Sequence, residues 1–296
     1  MLIATLAIGG EACSIRRWAA GKLGDALSSG GTTYASDDDP ELVGDALPFA
    51  LKTIEGLLEA APKHKGLLLS AASGFTQYAY VYLATEADYV EDQDLTRATH
   101  LRLRATGLYR RAKVYGLRGL AVDHAGFREA LRNDPHAALA GMKKDDVPML
   151  YWTSAAWSLE IALDKTNAAL AVDLPLAESL MHRALELDPD YSDGVIHDYY
   201  ISYEGGRAGA AGGSIDRARA ELTRSLELAK GRRAAPYLAY AETVTVSKQD
   251  RKEFTELLNS ALAVNPDAAP EYRLANRVAQ RRARWLLSRI DDMFVE

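Results

Sequence analysis

A short segment that ends a helix occurs twice along the chain. Residues 184–191 read ALELDPDY, and residues 261–268 read ALAVNPDA. In each copy, an apolar pattern with a 3.6-residue period runs into Asp188 or Asn265, and the proline that follows cannot continue a helix. Recurrence of a helical unit at a distance is typical of a helical solenoid.

Apolar stripes of helical spacing follow one another along most of the chain. The first contains Leu47, Leu51, Ile54 and Leu58 on one face of a predicted helix over residues 42–59. Further helices are predicted over residues 67–83, 150–163, 177–187, 195–203, 216–228, 253–264 and 271–294. Prolines and a glycine-rich stretch separate these segments, and almost no segment alternates with the period of a β-strand. The sequence therefore predicts an all-α protein.

The stripes also contain a packing pattern of small and large residues. The second helix of a tetratricopeptide repeat carries a small residue, a large one, another small one and then a proline at set intervals. Ala177, Met181, Ala184 and Pro189 match this pattern fully. Partial matches lie at residues 50–62, 127–135, 218–225 and 258–266. Their spacing is irregular, so we expect tetratricopeptide-like stacked helical hairpins, an α-solenoid with degenerate repeats.

The first 35 residues differ in composition from the rest. They run into the Gly/Ser/Thr-rich stretch SSGGTTYAS, which indicates a tether with little structure of its own. The segment SDDDPELV follows, in which Asp39 suits an N-cap and Pro40 the first helical position. We expect residues 1–35 to form a signal- or lipoprotein-like N-terminus with a flexible tether, and residues 36–296 to form a single tetratricopeptide-like domain.

Cys13 is the only cysteine, so the chain cannot form an intrachain disulfide. It follows a short apolar run, residues 2–8, as an acylated cysteine follows the apolar part of a lipoprotein signal peptide. However, no Lys or Arg precedes the run, and Glu11 differs from the small residues expected before such a cleavage point. The residues alone leave two interpretations open, a lipid anchor on Cys13 or a frayed start of the chain.

Aromatic residues at helical spacing are the candidates for a binding surface. They are Phe75, Tyr78, Tyr82, Tyr151, Trp152, Tyr199, Tyr200 and Tyr203. If the hairpins stack as in repeat solenoids, their helices line the inner face. The alternative is that these rings pack in the core, where aromatic stripes usually lie. The excess of Tyr, 15 against 5 Phe, favours a partly wet cleft, because a buried phenol needs a polar partner.

Composition and motifs argue against several functional classes. The net charge of −6 is not that of a nucleic-acid-binding protein, and no run approaches the roughly 18 apolar residues of a membrane-spanning helix. The six histidines lack metal-site spacing, and neither a phosphate loop nor a nucleophile motif occurs. Paired carboxylates such as Asp37 and Asp38 adjoin helix starts, where capping explains them. We expect no enzyme activity, no bound metal and no cofactor.

Three further features have a structural and a functional interpretation. Arg273, Arg277, Arg281 and Arg284 share one face of the last helix, and a second basic region runs over residues 102–118. We interpret both as solvated outer faces with local ion pairs rather than as surfaces for an acidic partner. The stretch EGGRAGAAGGS has five glycines between positions 205 and 213 and is expected to be a flexible link. Its functional interpretation is a mobile rim beside a pore or partner contact.

Six segments carry a resemblance to a known family. They are SDDDPELVGDALPFALKTIEGLLE (36–59), SGFTQYAY (73–80), LYRRAKVYGLRGL (108–120), DVPMLYWTSAAW (146–157), YYISYEGG (199–206) and PDAAPEYRLANRVAQRRARWLLSRIDDMF (266–294). In this order and spacing, they resemble the TatT or T-component family, tetratricopeptide-like lipoproteins associated with tripartite ATP-independent periplasmic (TRAP) transporters. The resemblance covers the chain from about Cys13 to its C-terminus.

The resemblance implies a periplasmic protein that is lipid-anchored through Cys13 and forms a homotrimer with pores or clefts. It further implies partnership with the substrate-binding protein of the transporter and handling of a small hydrophobic or organic-acid ligand. We therefore expect a non-enzymatic accessory protein of a TRAP-type transport system. The alternative is a generic tetratricopeptide scaffold for protein–protein interaction in the cell envelope.

Overall fold

A computed structural model describes residues 21–22, 33–207 and 209–294 of the chain. Within these ranges the protein is built of helices and contains no β-strand. The all-α prediction is therefore confirmed for this part of the chain. Cys13, and with it nearly all of the predicted tether over residues 1–35, lies outside the described residues.

The helices of the first half form the larger part of the core. They are α1 (Pro40–Ala60), α2 (Lys65–Tyr78), a π-helical segment (Ala79–Ala84), α3 (Thr85–Val90), α4 (Leu95–Asp123), α5 (Phe127–Asn133), α6 (Pro135–Ala140), a 3-10 turn (Lys144–Asp146) and α7 (Val147–Leu163). The π-helical segment joins α2 to α3 without a break in the helical backbone. The predicted helices over residues 42–59 and 67–83 correspond to α1 and to α2 with this extension.

Further helices complete the structure toward the C-terminus. They are α8 (Ala168–Ala171), α9 (Leu174–Leu187), a 3-10 turn (Tyr191–Gly194), α10 (Val195–Gly205), a 3-10 turn (Gly209–Ala211), α11 (Ile215–Ala229), α12 (Ala235–Tyr240), a π-helical segment (Ala241–Thr245), α13 (Arg251–Ala263), 3-10 turns (Pro266–Ala268 and Pro270–Tyr272), α14 (Arg273–Ser288) and α15 (Ile290–Met293). The single helix predicted over residues 271–294 is thus divided into the end of a 3-10 turn, helix α14, which ends at Ser288, and helix α15.

Side-chain caps explain where several helices begin. The Asp39 carboxylate accepts hydrogen bonds from the backbone N–H groups of Glu41 and Leu42, each at 3.0 Å, and Pro40 occupies the first turn of α1. Asp94 caps α4 and Ser214 caps α11 in the same way. Each cap satisfies a donor that would otherwise lack a partner inside the helix. The capping role predicted for Asp39 is confirmed.

Helices that lie near each other in the chain also contact each other in space. Contacts join α1 to α2, α2 to α4, α4 to α7 and α7 to α9, and then α10 to α11, α12 to α13 and α13 to α14. Ala177, Met181 and Ala184, the full match to the repeat pattern, are completely buried. This order of contacts is the one that stacked hairpins require, and the assignment to tetratricopeptide repeats stays a prediction.

The C-terminal helix α14 contacts the N-terminal part of the chain. The Leu274 N–H donates to the Ala35 carbonyl at 2.9 Å, and the rings of Tyr89 and Trp285 lie 5.2 Å apart. An ion pair joins Arg289 to Asp92. Helix α14 is therefore held against the start of α1 and against the α3 region, which lie more than 180 residues earlier in the chain.

Candidate functional site

A cleft of about 810 Å³ opens between α6, α9 and α10. Its lining comprises Asp134, Pro135, His136, Leu139, Ala140, Pro175, Glu178, Ser179, His182, Arg183, Glu186, Tyr199, Tyr200, Tyr203, Glu204, Arg207 and Arg217. It lies at the transition from α9 to α10, where the chain passes from the large core around α2, α4 and α7 to the smaller clusters of the C-terminal half. Its volume falls in the range of pockets that bind small organic molecules.

Three tyrosines of α10 form the aromatic wall of the cleft. Tyr199 and Tyr203, one helical turn apart, are stacked with ring centroids 5.7 Å apart and planes inclined by 17°. Tyr200 meets both of them edge to face, at 5.3 Å and 5.9 Å. All three residues are half-buried, and the Tyr199 hydroxyl lies 3.1 Å from the Ser158 hydroxyl. This arrangement holds the rings in place while leaving part of their surface open to the cleft.

Two arginines bring positive charge to the edge of the tyrosine wall. The Arg207 guanidinium lies 3.5 Å from the centroid of the Tyr203 ring and 3.6 Å from the Glu178 carboxylate. The Arg217 guanidinium is paired with Glu204 at 2.8 Å. A guanidinium over an aromatic face gains cation–π energy and keeps its outer edge free for hydrogen bonding. The cleft therefore combines an apolar aromatic surface with paired charges.

The opposite wall is polar and comes from α9. His182 and Arg183 both contact Glu186, at 3.2 Å and 2.9 Å. Arg183 also donates to the Met142 carbonyl at 3.1 Å, so its side chain ties α9 to the end of α6. Together with Glu178, these residues occupy successive turns of one helical face.

Burial raises the pKa of the cleft tyrosines. For Tyr200 the neighbouring phenols Tyr199 and Tyr203 add to the effect of burial, and for Tyr203 a hydrogen bond to the Glu178 carboxylate does so. The pKa of Tyr199 is raised by burial as well. Each phenol therefore stays neutral and able to donate a hydrogen bond to a higher pH than an exposed tyrosine does.

The first predicted aromatic stripe lies away from this cleft. Phe75 is buried in the core of α2, where its ring stacks on Tyr115 with centroids 6.0 Å apart. Tyr78 packs between two core clusters, and its ring lies 5.4 Å from that of Tyr82. The Tyr82 hydroxyl donates to the Pro40 carbonyl at 2.8 Å and so anchors the start of α1. These three rings hold α1, α2 and α4 together.

The second predicted aromatic pair also packs among other rings. Tyr151 lies 5.0 Å from Trp152 and 5.7 Å from Tyr191, measured between ring centroids. Burial raises the pKa of Tyr151 to about 12. Of the eight predicted aromatic residues, the structure brings Tyr199, Tyr200 and Tyr203 to the cleft. A binding role for any of the eight stays a prediction.

The charged residues of the cleft were not among the predicted site residues. Glu178 follows Ala177 in the repeat motif, and Arg207 lies in the glycine-rich stretch, which we interpreted as a link. The signal that could have identified Arg207 is its spacing, since it follows Tyr203 by four residues and therefore lies over the same helical face. Contact with Glu178 cannot be inferred from spacing, because it joins separate helices.

Comparison with known proteins gives the family of the chain. The model of the TRAP transporter T-component family, TAtT, matches residues 36–294. The chain belongs to this family. A protein of Treponema pallidum (strain Nichols), described as uncharacterized, is 28% identical over 267 residues, which cover 89% of this chain and 83% of the relative. The family resemblance of the sequence is thereby confirmed, and this T-component is an accessory component of a TRAP transporter.

No helix in residues 33–207 or 209–294 is both long enough and apolar enough to cross a membrane. The same part of the T-component contains no group of three or more His, Cys, Asp or Glu side chains that could hold a metal ion.

Proposed function

We propose that this T-component is a non-enzymatic periplasmic protein that binds a small amphipathic organic acid in the tyrosine cleft. We further propose that the protein associates with the substrate-binding protein of its TRAP transporter, is anchored to the membrane through Cys13 and forms a homotrimer. Its helices form a tetratricopeptide-like solenoid within one domain over residues 36–296. Family membership supports the transport role, and the cleft supports the ligand.

The observation that carries the ligand proposal is the pairing of phenol faces with arginines in one cleft. The apolar part of an organic acid would lie against Tyr199, Tyr200 and Tyr203. Its carboxylate would pair with Arg207 or Arg217 beside Glu178 and Glu204, whose carboxylates lie 3.6 Å and 2.8 Å from those guanidinium groups. Arginine suits this role because its planar guanidinium presents five N–H donors and can serve more than one acceptor.

The cleft would act by keeping the apolar part of its ligand away from water. Each 100 Å² of apolar ligand surface removed from water contributes about 2.5 kcal/mol. The phenol hydroxyls at the rim would remain hydrogen-bonded, as Tyr199 is to Ser158. Handover to a substrate-binding protein then requires only that the cleft bind more weakly than its partner does.

A pair of probes of equal chain length tests the ligand class. We expect decanoate to bind the purified protein in isothermal titration calorimetry, and decanol to bind at least about tenfold more weakly, because only the acid engages the arginines. Tyr200→Ala and Arg207→Met should each weaken decanoate binding by about tenfold. Tyr34→Ala provides the control, since Tyr34 is exposed and lies outside the cleft.

Equal affinity for the acid and the alcohol would contradict the role of the arginines. Absence of binding by both probes would contradict the ligand proposal, while leaving family membership untouched. Native mass spectrometry of protein purified from its own membranes reports the acyl chain on Cys13, the number of subunits and any retained small molecule in one measurement. A monomer without an acyl chain would contradict the proposed anchor and trimer.

A further inference from the structure

A second recess, of about 430 Å³, lies between α1 and α4 and is separate from the tyrosine cleft. Both helices pack on α2, and contacts between them are few, so a groove remains along their outer surfaces. The recess is lined by Lys52, Glu55, Gly107, Arg110, Arg111, Val114, Tyr115 and Arg118. We refer to these residues as the α1–α4 groove.

Positive charge predominates in the α1–α4 groove. Four of its lining residues are cationic and one, Glu55, is acidic. Glu55 accepts hydrogen bonds from Lys52 at 2.6 Å and from the Tyr115 hydroxyl at 2.7 Å, and Arg111 lies 3.4 Å away. A single carboxylate therefore faces two cations and a phenol, so the groove retains an excess of positive charge in a chain of net charge −6.

The other two cations of the groove differ in their partners. Arg110 is paired at 2.8 Å with Glu160, a buried carboxylate that it shares with Lys113 at 2.6 Å. Arg118 donates to the Pro62 carbonyl at 3.2 Å and pairs with no carboxylate among the described residues. When Glu160 and Lys113 are counted with the lining residues, the groove and its immediate surroundings contain five cations and two carboxylates.

Aromatic rings hold two of these arginines in position. The Arg111 guanidinium lies 5.3 Å from the centroid of the Phe75 ring, and that of Arg118 lies 5.2 Å from the centroid of the Tyr115 ring. The two rings stack on each other, with Phe75 buried beneath the groove and Tyr115 lining it. Guanidinium groups held over rings lose less side-chain freedom when they bind an anion than free surface arginines do.

One apolar side chain is exposed within the groove, and two more are exposed one helical turn away on the same helices. Val114 is 39% exposed within the recess. Phe49 precedes Lys52 by one turn of α1 and is 80% exposed, and Leu103 precedes Gly107 by one turn of α4 and is 68% exposed. Large exposed apolar side chains next to fixed cations are typical of a protein-binding surface.

The basic face of α14 provides a contrast within the same molecule. Arg281 and Arg282 of α14, and Arg289 directly after it, are paired with carboxylates of the α3 region, namely Glu86, Asp88 and Asp92. These arginines therefore already have acidic partners, which come from the same chain. In the α1–α4 groove, no described segment of the chain supplies an equivalent set of carboxylates.

We infer that the α1–α4 groove is a docking surface for an acidic, amphipathic segment of a partner protein. The carboxylates of that segment would pair with Arg111, Arg118 and Lys52, and an apolar side chain between them would rest on Val114. The excess of positive charge in the groove identifies the occupant as acidic, and the exposed apolar side chains identify it as amphipathic. The docking surface is distinct from the tyrosine cleft, so either can fail while the other stands.

Fluorescence anisotropy with a designed peptide tests this inference on the full chain. The probe is a fluorescein-labelled helical peptide of about 18 residues, with glutamates on one face and leucines on the other. We expect micromolar binding that weakens steeply with added salt. Arg111→Gln/Arg118→Gln should weaken it by at least about tenfold, and Val114→Ser by about threefold with an unchanged salt dependence.

Two controls make the result specific. Arg224→Gln/Arg284→Gln removes the same charge from exposed positions outside the groove and should leave binding unchanged, and circular dichroism verifies that each variant is folded. The same peptide with lysine in place of glutamate should not bind. Equal binding of both peptides, or equal binding by the groove variant, would overturn the inference. The parent protein could also bind phosphatidylglycerol vesicles but not the peptide, and the groove variant could lose that vesicle binding. This result would overturn the inference in favour of a lipid surface.

Discussion

Tyr203 contacts both the aromatic and the charged residues of the cleft. Its ring stacks on Tyr199 and carries the Arg207 guanidinium 3.5 Å from its centroid. Burial and the neighbouring Glu178 carboxylate raise the pKa of its hydroxyl. Tyrosine meets these demands because it offers an apolar ring and a polar tip, whereas phenylalanine lacks the hydroxyl. The sequence predicted Tyr203 as a candidate from its helical spacing. It did not predict the charged residues around it, because they come from α9 and from the stretch after α10.

The raised pKa values of the cleft phenols predict sensitivity to alkaline pH. In the unfolded chain tyrosine ionises near its ordinary value of 10.0, whereas the folded protein keeps Tyr200 and Tyr203 protonated above it. The stability that this difference contributes is present below pH 10 and is lost as the pH rises above it. Denaturant titrations should therefore show a decrease in the free energy of unfolding above about pH 10.

Tyrosinate absorbance provides the direct measurement of the same effect. The folded protein should show a group of phenols that ionise later than the exposed ones, and Tyr200→Phe/Tyr203→Phe should reduce the amplitude of that late phase. The double variant should also lose less stability between pH 10 and 12 than the parent protein does. Ionisation of all phenols together near pH 10 in the folded state would contradict the burial of Tyr200 and Tyr203.

Among the contacts between helices, the close approach of α4 to α7 depends on two glycines of α4. A β-carbon at Gly116 would collide with the Thr153 side chain, and one at Gly119 would collide with Met149. Thr153 is completely buried and Met149 nearly so, so neither neighbour can turn toward solvent.

Helix α4 is also the longest helix described, although periodicity did not predict it. Its buried face consists largely of Ala and Gly, including Ala98, Ala105 and Ala112, which a search for large apolar side chains misses.

Two alanine substitutions in α4 should therefore have opposite effects. Gly116→Ala should destabilise the protein by about 1–3 kcal/mol, because the added methyl group forces α4 and α7 apart. Gly107→Ala meets no atom within 4 Å and should stabilise it by about 0.5–1 kcal/mol through helix propensity. Chemical denaturation of the two variants measures both changes. A stabilising Gly116→Ala would show that the contact between α4 and α7 is looser than described.

At the scale of the whole molecule, α14 connects the two ends of the described chain. Arg282 donates a hydrogen bond to Glu242 at 2.7 Å and forms an ion pair with Asp88 at 3.0 Å, and its guanidinium lies 4.5 Å from the centroid of the Trp285 ring. Glu242 belongs to the π-helical segment after α12, and Asp88 belongs to α3. One arginine thus joins three parts of the chain. Burial raises the pKa of Glu242 despite the attraction of Arg282.

Removal of the Arg282 charge should weaken this closure in a pH-dependent manner. Arg282→Gln should destabilise the protein by about 2–3 kcal/mol at neutral pH, because Glu242 is left without its cation. Burial raises the pKa of Glu242 above 4.5. The loss of unfolding free energy in Arg282→Gln should therefore be smallest in acid, where this carboxyl is neutral. It should grow as the pH rises through the pKa that Glu242 has in the folded protein. Thermal unfolding across pH measures this difference. The exposed Arg224→Gln should leave the midpoint unchanged, and an equally small effect of Arg282→Gln would contradict the closure.

The sequence by itself determined the helical class, the caps and breakers at helix ends such as Asp39 and Pro189, and the family. These features depend on neighbours within one or two turns, where side-chain periodicity and backbone capping act. Only the tertiary structure decided that Tyr199, Tyr200 and Tyr203 reach a cleft while Phe75 is buried. It also decided that the arginines of α14 find carboxylates nearly 200 residues away, as Arg281 finds Glu86. Such pairings depend on how distant helices pack, which local spacing does not encode.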